Sequence, residues 1–181
     1  THTTEESKRY TRPAPKRYST AEEAVAHCTQ HIETQGYKLD NQYRYYDHDQ
    51  KEVLRVIRLQ NGSDKQFRQV SRNEDGWACC GLQTAPLYLL ADIEPAEEVF
   101  IVEGEKCAQA LRDLHIKVTT SAGGSKAAHK TDWTPLAGKA VRILPDNDEP
   151  GRKYAQAVYN ELKKLDPAPK VKQIDLPVGK G

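Results

Sequence analysis

The sequence predicts an α/β protein in which a parallel sheet flanked by helices follows a small N-terminal α+β module. Residues 99–103 and 140–145 are apolar runs that stop abruptly at acidic residues and then at glycine. Buried parallel strands end in this way at the carboxyl edge of a sheet. Between residues 43 and 77, short strand-like segments are separated by turn sequences, which predicts an antiparallel meander in the module.

The 181 residues suit one domain, or a small module packed on a larger one. Residues 1–18 are rich in Thr, Arg, Lys and Pro without periodicity, so we expect a flexible linker there. The α+β module would span residues 19–94 and the parallel-sheet domain residues 95–181. The chain has no methionine and closes on Val-Gly-Lys-Gly, from which we expect a segment of a longer polypeptide.

The N-terminal module begins with a predicted helix. Thr20 and Glu23 have the spacing of a capping box, and apolar residues follow at helical spacing until Gly36 ends the helix. His27 and His31 lie one turn apart on it. Two histidines at this spacing can bind a metal, but no third ligand accompanies them, so an exposed polar face is the favoured interpretation.

The meander follows, with strands expected at residues 43–46, 53–59 and 66–70 and from residue 77 onward. Its aromatic and basic side chains suit contact with a single nucleic-acid strand, through stacking and charge neutralisation. An ordinary half-exposed sheet has a similar composition, so a purely structural role remains the alternative. The residues predicted to contact nucleic acid are Tyr43, Arg44, Arg55, Arg58, Phe67 and Arg68.

Strands and helices alternate in the second half, after a short apolar bridge at residues 86–90. We expect strands at 99–103, 116–120, 140–145 and 170–176, helices at 106–114 and 151–165, and a helical or irregular stretch at 126–136. Repeated β-α-β units imply parallel strands joined by right-handed crossovers, with helices on both faces.

Five carboxylates are expected at the carboxyl edge of this sheet, where open α/β sheets bind their ligands: Glu103, Glu105, Asp146, Asp148 and Glu149. Such a cluster repels itself unless protons or a cation offset the charge. Asp146 and Asp148 are two residues apart, so in an extended chain both can reach one ion. A donor set made only of acids favours Mg²⁺ or Mn²⁺ over zinc.

Three motifs in the second half resemble the signatures of the TOPRIM domain, which DNA primases of the bacterial type, type IA and II topoisomerases and some nucleases share. They are Glu103-Gly104 after an apolar strand, Ser-Ala-Gly-Gly at 121–124, and Asp146-x-Asp148-x-x-Gly151 at the start of a helix. Within that group, Glu-Gly-Glu-Lys and the later Leu-Pro-Asp-Asn-Asp-Glu-Pro-Gly-Arg most resemble the primases and primase-helicases of phages and plasmids. The similarity covers residues 99–165.

This resemblance implies a module that joins NTPs into an RNA primer on a single-stranded DNA template with Mg²⁺ or Mn²⁺, beside a helicase domain in cis or in trans. Glu103, Asp146 and Asp148 would be its catalytic and metal-binding residues. Glu103 would act as general base toward a 3′-hydroxyl or as a metal ligand. The two aspartates would hold the ion against the triphosphate. A surface glutamate at a helix start and an ordinary Asp-rich turn are the structural alternatives.

Phosphate or nucleotide contact is expected from glycines, which let the backbone approach a ligand, and from the polar and basic residues near them. The turn at 121–126 also presents consecutive N–H groups where a helix begins, which suits an anion. The basic residues could instead lie on the surface without a ligand. The predicted set is Gly104, Lys106, Ser121, Gly123, Gly124, Lys126, Gly151, Arg152 and Lys153.

The charge balance and the cysteines bear on nucleic-acid attraction and on the cellular location of the protein. The 27 Lys and Arg nearly balance the 26 Asp and Glu, so no global field attracts nucleic acid, although basic residues outnumber acidic ones in residues 1–20 and 41–72. The four cysteines form no Cys-x-x-Cys pair, and no apolar run is long enough to span a membrane. We therefore expect a reducing, cytoplasmic location.

Two other functions remain open. A metal-dependent nuclease could use the same carboxylates to direct water at a phosphodiester. A non-catalytic nucleic-acid or nucleotide-binding module could keep the fold, and it predicts binding that survives the loss of Glu103. A topoisomerase is disfavoured because its cleavage chemistry needs a tyrosine on a separate domain.

Overall fold

The computed structural model describes residues 15–174 and contains two four-stranded sheets, one antiparallel and one parallel. This arrangement confirms the predicted α/β class and the antiparallel module that precedes the parallel sheet. Most of the linker predicted over residues 1–18 lies outside the described residues, as does the end of the strand predicted over 170–176. Within the described part, Tyr18 forms an antiparallel bridge with Trp77 of the first sheet.

Helix α1 spans Ala21–Glu33 and starts as predicted. The Thr20 hydroxyl accepts a hydrogen bond from the Glu23 backbone N–H at 3.2 Å, and the Glu23 carboxylate accepts one from the Thr20 N–H at 3.2 Å. This reciprocal capping satisfies two of the N–H groups that a helix start leaves without partners. Gly36, at φ +86°, then redirects the chain into the first strand.

The antiparallel sheet has the order β1-β2-β3-β4. Its strands are β1 at Lys38–Tyr46, β2 at Glu52–Asn61, β3 at Asp64–Asn73 and β4 at Gly76–Ala78. The meander prediction is therefore confirmed. A register shift between Leu39 and Asn41 marks an irregularity at Asp40, whose carboxylate pairs with Arg58 Nε at 2.8 Å.

Both faces of this sheet are covered. On one face, Ile57, Leu59 and Val70 pack against the apolar side of α1. On the other, Tyr43, Tyr45 and Val56 pack against the parallel-sheet half of the molecule, in a core that also contains Val102 and Ala108. Because strand residues alternate between the faces, each charged side chain of β2 is committed to one side or the other.

The second half forms the parallel sheet, in the order β6-β5-β7-β8. A four-residue helix, α2 at Leu90–Ile93, precedes it. Its remaining elements are β5 at Glu98–Val102, α3 at Glu105–Asp113, β6 at Val118–Thr119, β7 at Ala140–Leu144, α4 at Glu149–Leu162 and β8 at Lys170–Gln173. Three single 3₁₀ turns between residues 124 and 136 occupy the stretch predicted as helical or irregular.

Strands β5 and β7 are neighbours, and Val102 pairs with Leu144 at their carboxyl ends. The loops that begin at Glu103 and Pro145 therefore leave the same edge of the sheet side by side. This is the edge at which open α/β sheets bind ligands. Among the helices of residues 15–174, none is both long and apolar enough to cross a bilayer.

Candidate active site

A cleft of about 690 Å³ lies between the two sheets, over the carboxyl edge of the parallel one. The antiparallel sheet lines one wall with Tyr43, Val56, Arg58, Lys65, Phe67 and Gln69. The opposite wall consists of the loops after β5, β6 and β7, with Glu103, Asp146 and Asp148 among its side chains. Four of the five carboxylates predicted to form a site therefore line the same cleft as part of the predicted nucleic-acid surface, and Glu149 does not.

Glu103 follows β5 directly and is half-buried. Its Oε2 is buried and has no hydrogen-bond partner among residues 15–174. Burial raises the pKa of this carboxyl, and the charges of Asp146 and Asp148 raise it further, while Lys65 acts in the opposite direction. A buried, unpaired carboxylate oxygen of this kind is stabilised by a proton or by a bound cation.

The two aspartates differ in their surroundings. Partial burial and the charge of Asp148 raise the pKa of Asp146, which Lys65 partly offsets. Asp148 is the N-cap of α4, and its Oδ1 accepts a hydrogen bond from the Gly151 N–H at 2.7 Å. One carboxylate oxygen of Asp148 therefore has a structural role, as the alternative interpretation of an ordinary Asp-rich turn predicts, because it caps α4. Its side chain lines the cleft at the same time.

Gly151 explains the spacing of the Asp-x-Asp-x-x-Gly motif. A Cβ at this position would lie 2.3 Å from the backbone oxygen of Asp146 and 2.8 Å from its nitrogen. The backbone of Asp146 also accepts a hydrogen bond from the Asp148 N–H at 2.8 Å. The first turn of α4 is therefore folded tightly onto the loop that presents Asp146, and only glycine leaves room for it.

The other two acids of the predicted cluster have partners within the protein. Glu105 is buried, and its Oε1 accepts a hydrogen bond from the Tyr45 hydroxyl at 2.8 Å. Burial raises the pKa of Glu105, while hydrogen bonds from its own backbone and from Tyr45 lower it. Glu149 lies on the surface of α4 and is not among the residues that line the cleft. Of the five acids predicted to form the cluster, Glu103, Asp146 and Asp148 are therefore the ones that line the cleft without a side-chain partner among residues 15–174.

Tyr45→Phe is expected to lower the free energy of unfolding by about 1–3 kcal/mol, because it leaves a buried carboxylate without its hydroxyl donor. The bond links β1 to the first turn of α3, so its loss weakens the contact between the two halves. Urea denaturation measures the change. Tyr46→Phe is the matched control, since Tyr46 is the exposed neighbour and should change stability by less than about 0.5 kcal/mol. Equal effects of the two variants would show that the buried bond contributes no net stability.

The loop after β6 is fixed by residues that the sequence did not single out. The Tyr154 hydroxyl accepts a hydrogen bond from the Ser121 N–H at 3.2 Å and contacts the Ser121 Oγ at 3.0 Å. Thr120 Oγ1 accepts one from the Gly104 N–H at 3.1 Å. Tyr154 is fully buried beneath this loop, and it was not among the predicted site residues.

The predicted phosphate-binding residues separate into two groups. Gly104, Lys106, Ser121, Gly123 and Gly124 line the cleft. Gly151 contacts the Asp146 backbone instead, and Arg152 and Lys153 pair with Glu149 at 3.2 and 3.5 Å on the surface of α4. Lys126 ends the first 3₁₀ turn and is also not among the residues that line the cleft.

The residues predicted to contact nucleic acid do not all lie on one face of the antiparallel sheet, because strand residues alternate between its faces. Tyr43, Arg58 and Phe67 line the cleft. Arg55 is buried on the α1 face, where it pairs with Glu22 and Glu52 at 3.1 and 2.7 Å. The last two residues of that set are placed elsewhere: Arg44 lines a separate pocket, and Arg68 donates to the Phe67 carbonyl at 2.7 Å.

Lys65 was not predicted as a site residue, although it lies in the cleft beside the acids. Its position two residues before Phe67 and four before Gln69 places the three side chains on one face of β3. Alternation in β3 was the signal that could have identified it. Alternation does not show, however, that this face of the sheet opposes the carboxylates.

In residues 15–174, no three His, Cys, Asp or Glu side chains form a preassembled metal-binding cluster. The acidic donors and the unpaired Oε2 of Glu103 nevertheless fit a hard cation. Magnesium is usually held by one or two carboxylates together with substrate phosphates and water. Asp146 and Asp148, with or without Glu103, are the residues that could hold such an ion together with a phosphate-bearing ligand.

No protein-family model matches the sequence, and a search of curated proteins finds no significant match. Solved structures do match. A DNA primase domain from Pseudomonas aeruginosa has a TM-score of 0.56 at 18% identity, over 77% of this chain and 44% of that one. The fold is similar to that of primase catalytic cores.

Two further structures have the same likeness. The E. coli primase catalytic core has a TM-score of 0.53 at 18% identity, over 77% of this chain and 45% of that one. The DnaG primase catalytic domain bound to single-stranded DNA has a TM-score of 0.53 at 16% identity, over 77% and 44%. The chain thus spans less than half the length of these chains, and a fold similar to theirs is what the comparison establishes.

Proposed function

We propose that the chain is the catalytic module of a DNA primase, which joins ribonucleotides into a primer on single-stranded DNA with Mg²⁺ or Mn²⁺. The supporting observation is that Glu103, Asp146 and Asp148 line one cleft together with Lys65 and Lys106, in a fold similar to that of primase catalytic cores. In this proposal residues 95–181 supply the chemistry and residues 19–94 a nucleic-acid platform. A replicative primase of the phage or plasmid type, working in the cytoplasm beside a helicase domain, is the context that the sequence motifs favour.

Each cleft residue has a distinct role in the proposed reaction. Glu103 accepts the proton of the attacking 3′-hydroxyl, for which a raised pKa is an advantage at neutral pH. Asp146 and Asp148 hold the cation, which when bound offsets negative charge on the triphosphate. Lys106 contacts phosphate oxygens, and Tyr43 and Arg58 lie on the wall available to the template strand. Gly151 keeps Asp146 in place through the close approach of the two backbones.

Primer synthesis tests the proposal directly. Wild-type protein is incubated with NTPs, single-stranded DNA and Mg²⁺, and the products are separated by length beside those of Asp146→Asn and of Asp49→Asn, an exposed aspartate in the β1–β2 turn. We expect primers from wild type and Asp49→Asn but not from Asp146→Asn. Cleaved template in place of primers would establish a nuclease, and nucleic-acid binding without any product, unchanged in Glu103→Gln, would establish a binding module.

Metal binding is expected to depend on nucleotide. Because Asp148 commits one oxygen to its helix cap and no preassembled cluster exists in the described residues, Mg²⁺ alone should bind weakly. Isothermal titration calorimetry with Mg²⁺ or Mn²⁺, before and after saturation with an NTP and with metal binding to free NTP subtracted, should show affinity at least about tenfold tighter with nucleotide. Asp146→Asn should abolish this gain. Tight binding of Mg²⁺ without nucleotide would contradict the expectation.

A further inference from the structure

A row of three side chains on β3 forms part of the cleft wall: Lys65, Phe67 and Gln69. Alternate residues of a strand lie roughly 6.6 Å apart on one face, so the three form a straight line across the cleft. The Phe67 side chain is 45% exposed. The chain contains only one other phenylalanine. A single exposed apolar ring needs no explanation by itself, so its neighbours decide what it can do.

The Gln69 end of the row lies close to two glycines. The Gln69 side chain lies so close to Gly81 that a Cβ there would be 2.4 Å from its Oε1, and a Cβ at Gly123 would be 3.5 Å from its Nε2. Opposite Phe67 on β2 is Arg58, whose Nε pairs with Asp40 at 2.8 Å. The Phe67 ring therefore lies on β3 between the side chains of Lys65 and Gln69, with Arg58 opposite it on β2.

The other end of the row carries an available charge. Lys65 lines the cleft with Glu103 and Asp146, yet no carboxylate of residues 15–174 lies within 4.0 Å of its ammonium group in an ion pair. A lysine ammonium on a flexible stem can move onto a phosphate. The row thus offers a cation near the carboxylates and a flat apolar surface one step away.

We propose that this row binds the incoming ribonucleoside triphosphate, with its base stacked on Phe67 and its phosphates against Lys65. The assignment rests on the proposed primase function and adds the nucleotide-binding residues to it. The ring face accepts every base, because stacking on an aromatic side chain is tolerant of sequence. A primase that copies any template needs this tolerance, since base choice then comes from pairing with the template.

Four substitutions distinguish the proposed contact of the base with Phe67 from that of the phosphates with Lys65. Phe67→Ala removes the stacking surface and Phe67→Tyr restores it, while Tyr159→Ala removes an exposed aromatic ring on α4 that does not line the cleft. Lys65→Gln removes the charge. Affinity for each of the four NTPs with Mg²⁺ is measured by calorimetry, and affinity for an oligodeoxynucleotide by fluorescence anisotropy. Far-UV circular dichroism verifies that each variant folds.

Phe67→Ala should weaken all four NTPs by roughly 10- to 100-fold, and alike, while DNA affinity stays within about twofold. Phe67→Tyr and Tyr159→Ala should bind as wild type, and Lys65→Gln should weaken all four NTPs. Loss of DNA affinity with NTP affinity intact would assign Phe67 to the template strand and overturn the inference. Unchanged binding of both ligands by Phe67→Ala would also overturn it.

Failure of this inference is distinguishable from failure of the proposed function. If Phe67→Ala binds NTPs normally while wild type makes primers and Asp146→Asn does not, the function stands and the row is not the nucleotide site. If wild type binds NTPs through Phe67 but makes no primers, the nucleotide site stands and the primase assignment fails. A wild-type protein that binds no NTP overturns both.

Discussion

Glu103→Gln is expected to abolish primer synthesis and, at the same time, to stabilise the folded protein. The amide cannot accept the proton of a 3′-hydroxyl, and loss of a general base typically reduces rate by about 10²- to 10⁴-fold. The primer assay at saturating NTP measures this loss. Glu97→Gln is the matched control, since Glu97 is exposed just before β5 and should leave the rate unchanged.

The expected gain in stability follows from the pKa of Glu103. Burial and two neighbouring aspartates raise this pKa in the folded state. The stability that protonated Glu103 contributes is therefore present below its unfolded-state pKa and is lost as pH rises through the folded-state value. At pH 8 the glutamine variant should exceed wild type by up to about 1 kcal/mol, a value limited by solvent screening of a half-exposed group.

Urea denaturation in EDTA at pH 8 and pH 5 measures the difference. It should be largest at pH 8 and smaller at pH 5, where wild-type Glu103 is more fully protonated, and it should also shrink when Mg²⁺ and NTP are added. A variant less stable than wild type at pH 8 would contradict the interpretation of Glu103 as an uncompensated charge. Many active sites trade stability for function in this way.

Gly151→Ala is expected to destabilise the protein and to displace Asp146. Alanine has the higher helix propensity by up to about 1 kcal/mol, so a helix interior alone would gain from the exchange. Here the new Cβ would lie 2.3, 2.8 and 2.9 Å from three backbone atoms of Asp146, which cannot rotate away as a side chain can. Overpacking of this kind costs about 1–3 kcal/mol, so we expect net destabilisation and a loss of primer synthesis larger than unfolding explains.

Gly62→Ala provides the comparison for Gly151→Ala. Gly62 lies in the β2–β3 turn at φ +59°, and no atom lies within 4 Å of the position a Cβ would take. Its cost of about 1–2 kcal/mol arises from the left-handed backbone alone, and activity should be retained. Thermal denaturation and the primer assay are applied to both variants. A Gly151→Ala protein with wild-type stability and activity would show that the Asp146 loop tolerates displacement.

Local patterns in the sequence were sufficient to predict the elements of the fold. The abrupt stops of the apolar runs predicted at 99–103 and 140–145 identify β5 and β7, which end at Val102 and Leu144, because buried parallel strands are apolar throughout and end where polar loops begin. The Thr20–Glu23 capping box predicts the start of α1 for an equally local reason. The three carboxylates Glu103, Asp146 and Asp148 follow from the same patterns, since each comes directly after one of these strands or caps the next helix.

Contacts between distant elements could not be predicted in this way. Arg55 and Arg58 are both arginines among apolar residues of β2. Arg55 is buried against α1, whereas Arg58 lines the cleft. Alternation shows that they lie on opposite faces but not which face meets the carboxylates. The Tyr45–Glu105 bond joins residues 60 positions apart, and nothing local identifies either as the partner of the other. Lys65 was missed for the same reason.

The core shared by the two sheets has a mechanical consequence. Tyr43 and Tyr45 of one wall and Val102 and Ala108 of the other belong to one buried cluster, so the walls cannot swing apart without exposing it to water. Opening on a hinge is therefore disfavoured. Under the proposed primase function, a nucleic-acid chain would enter and leave lengthwise along a groove of fixed width, and the growing duplex would emerge at its open end.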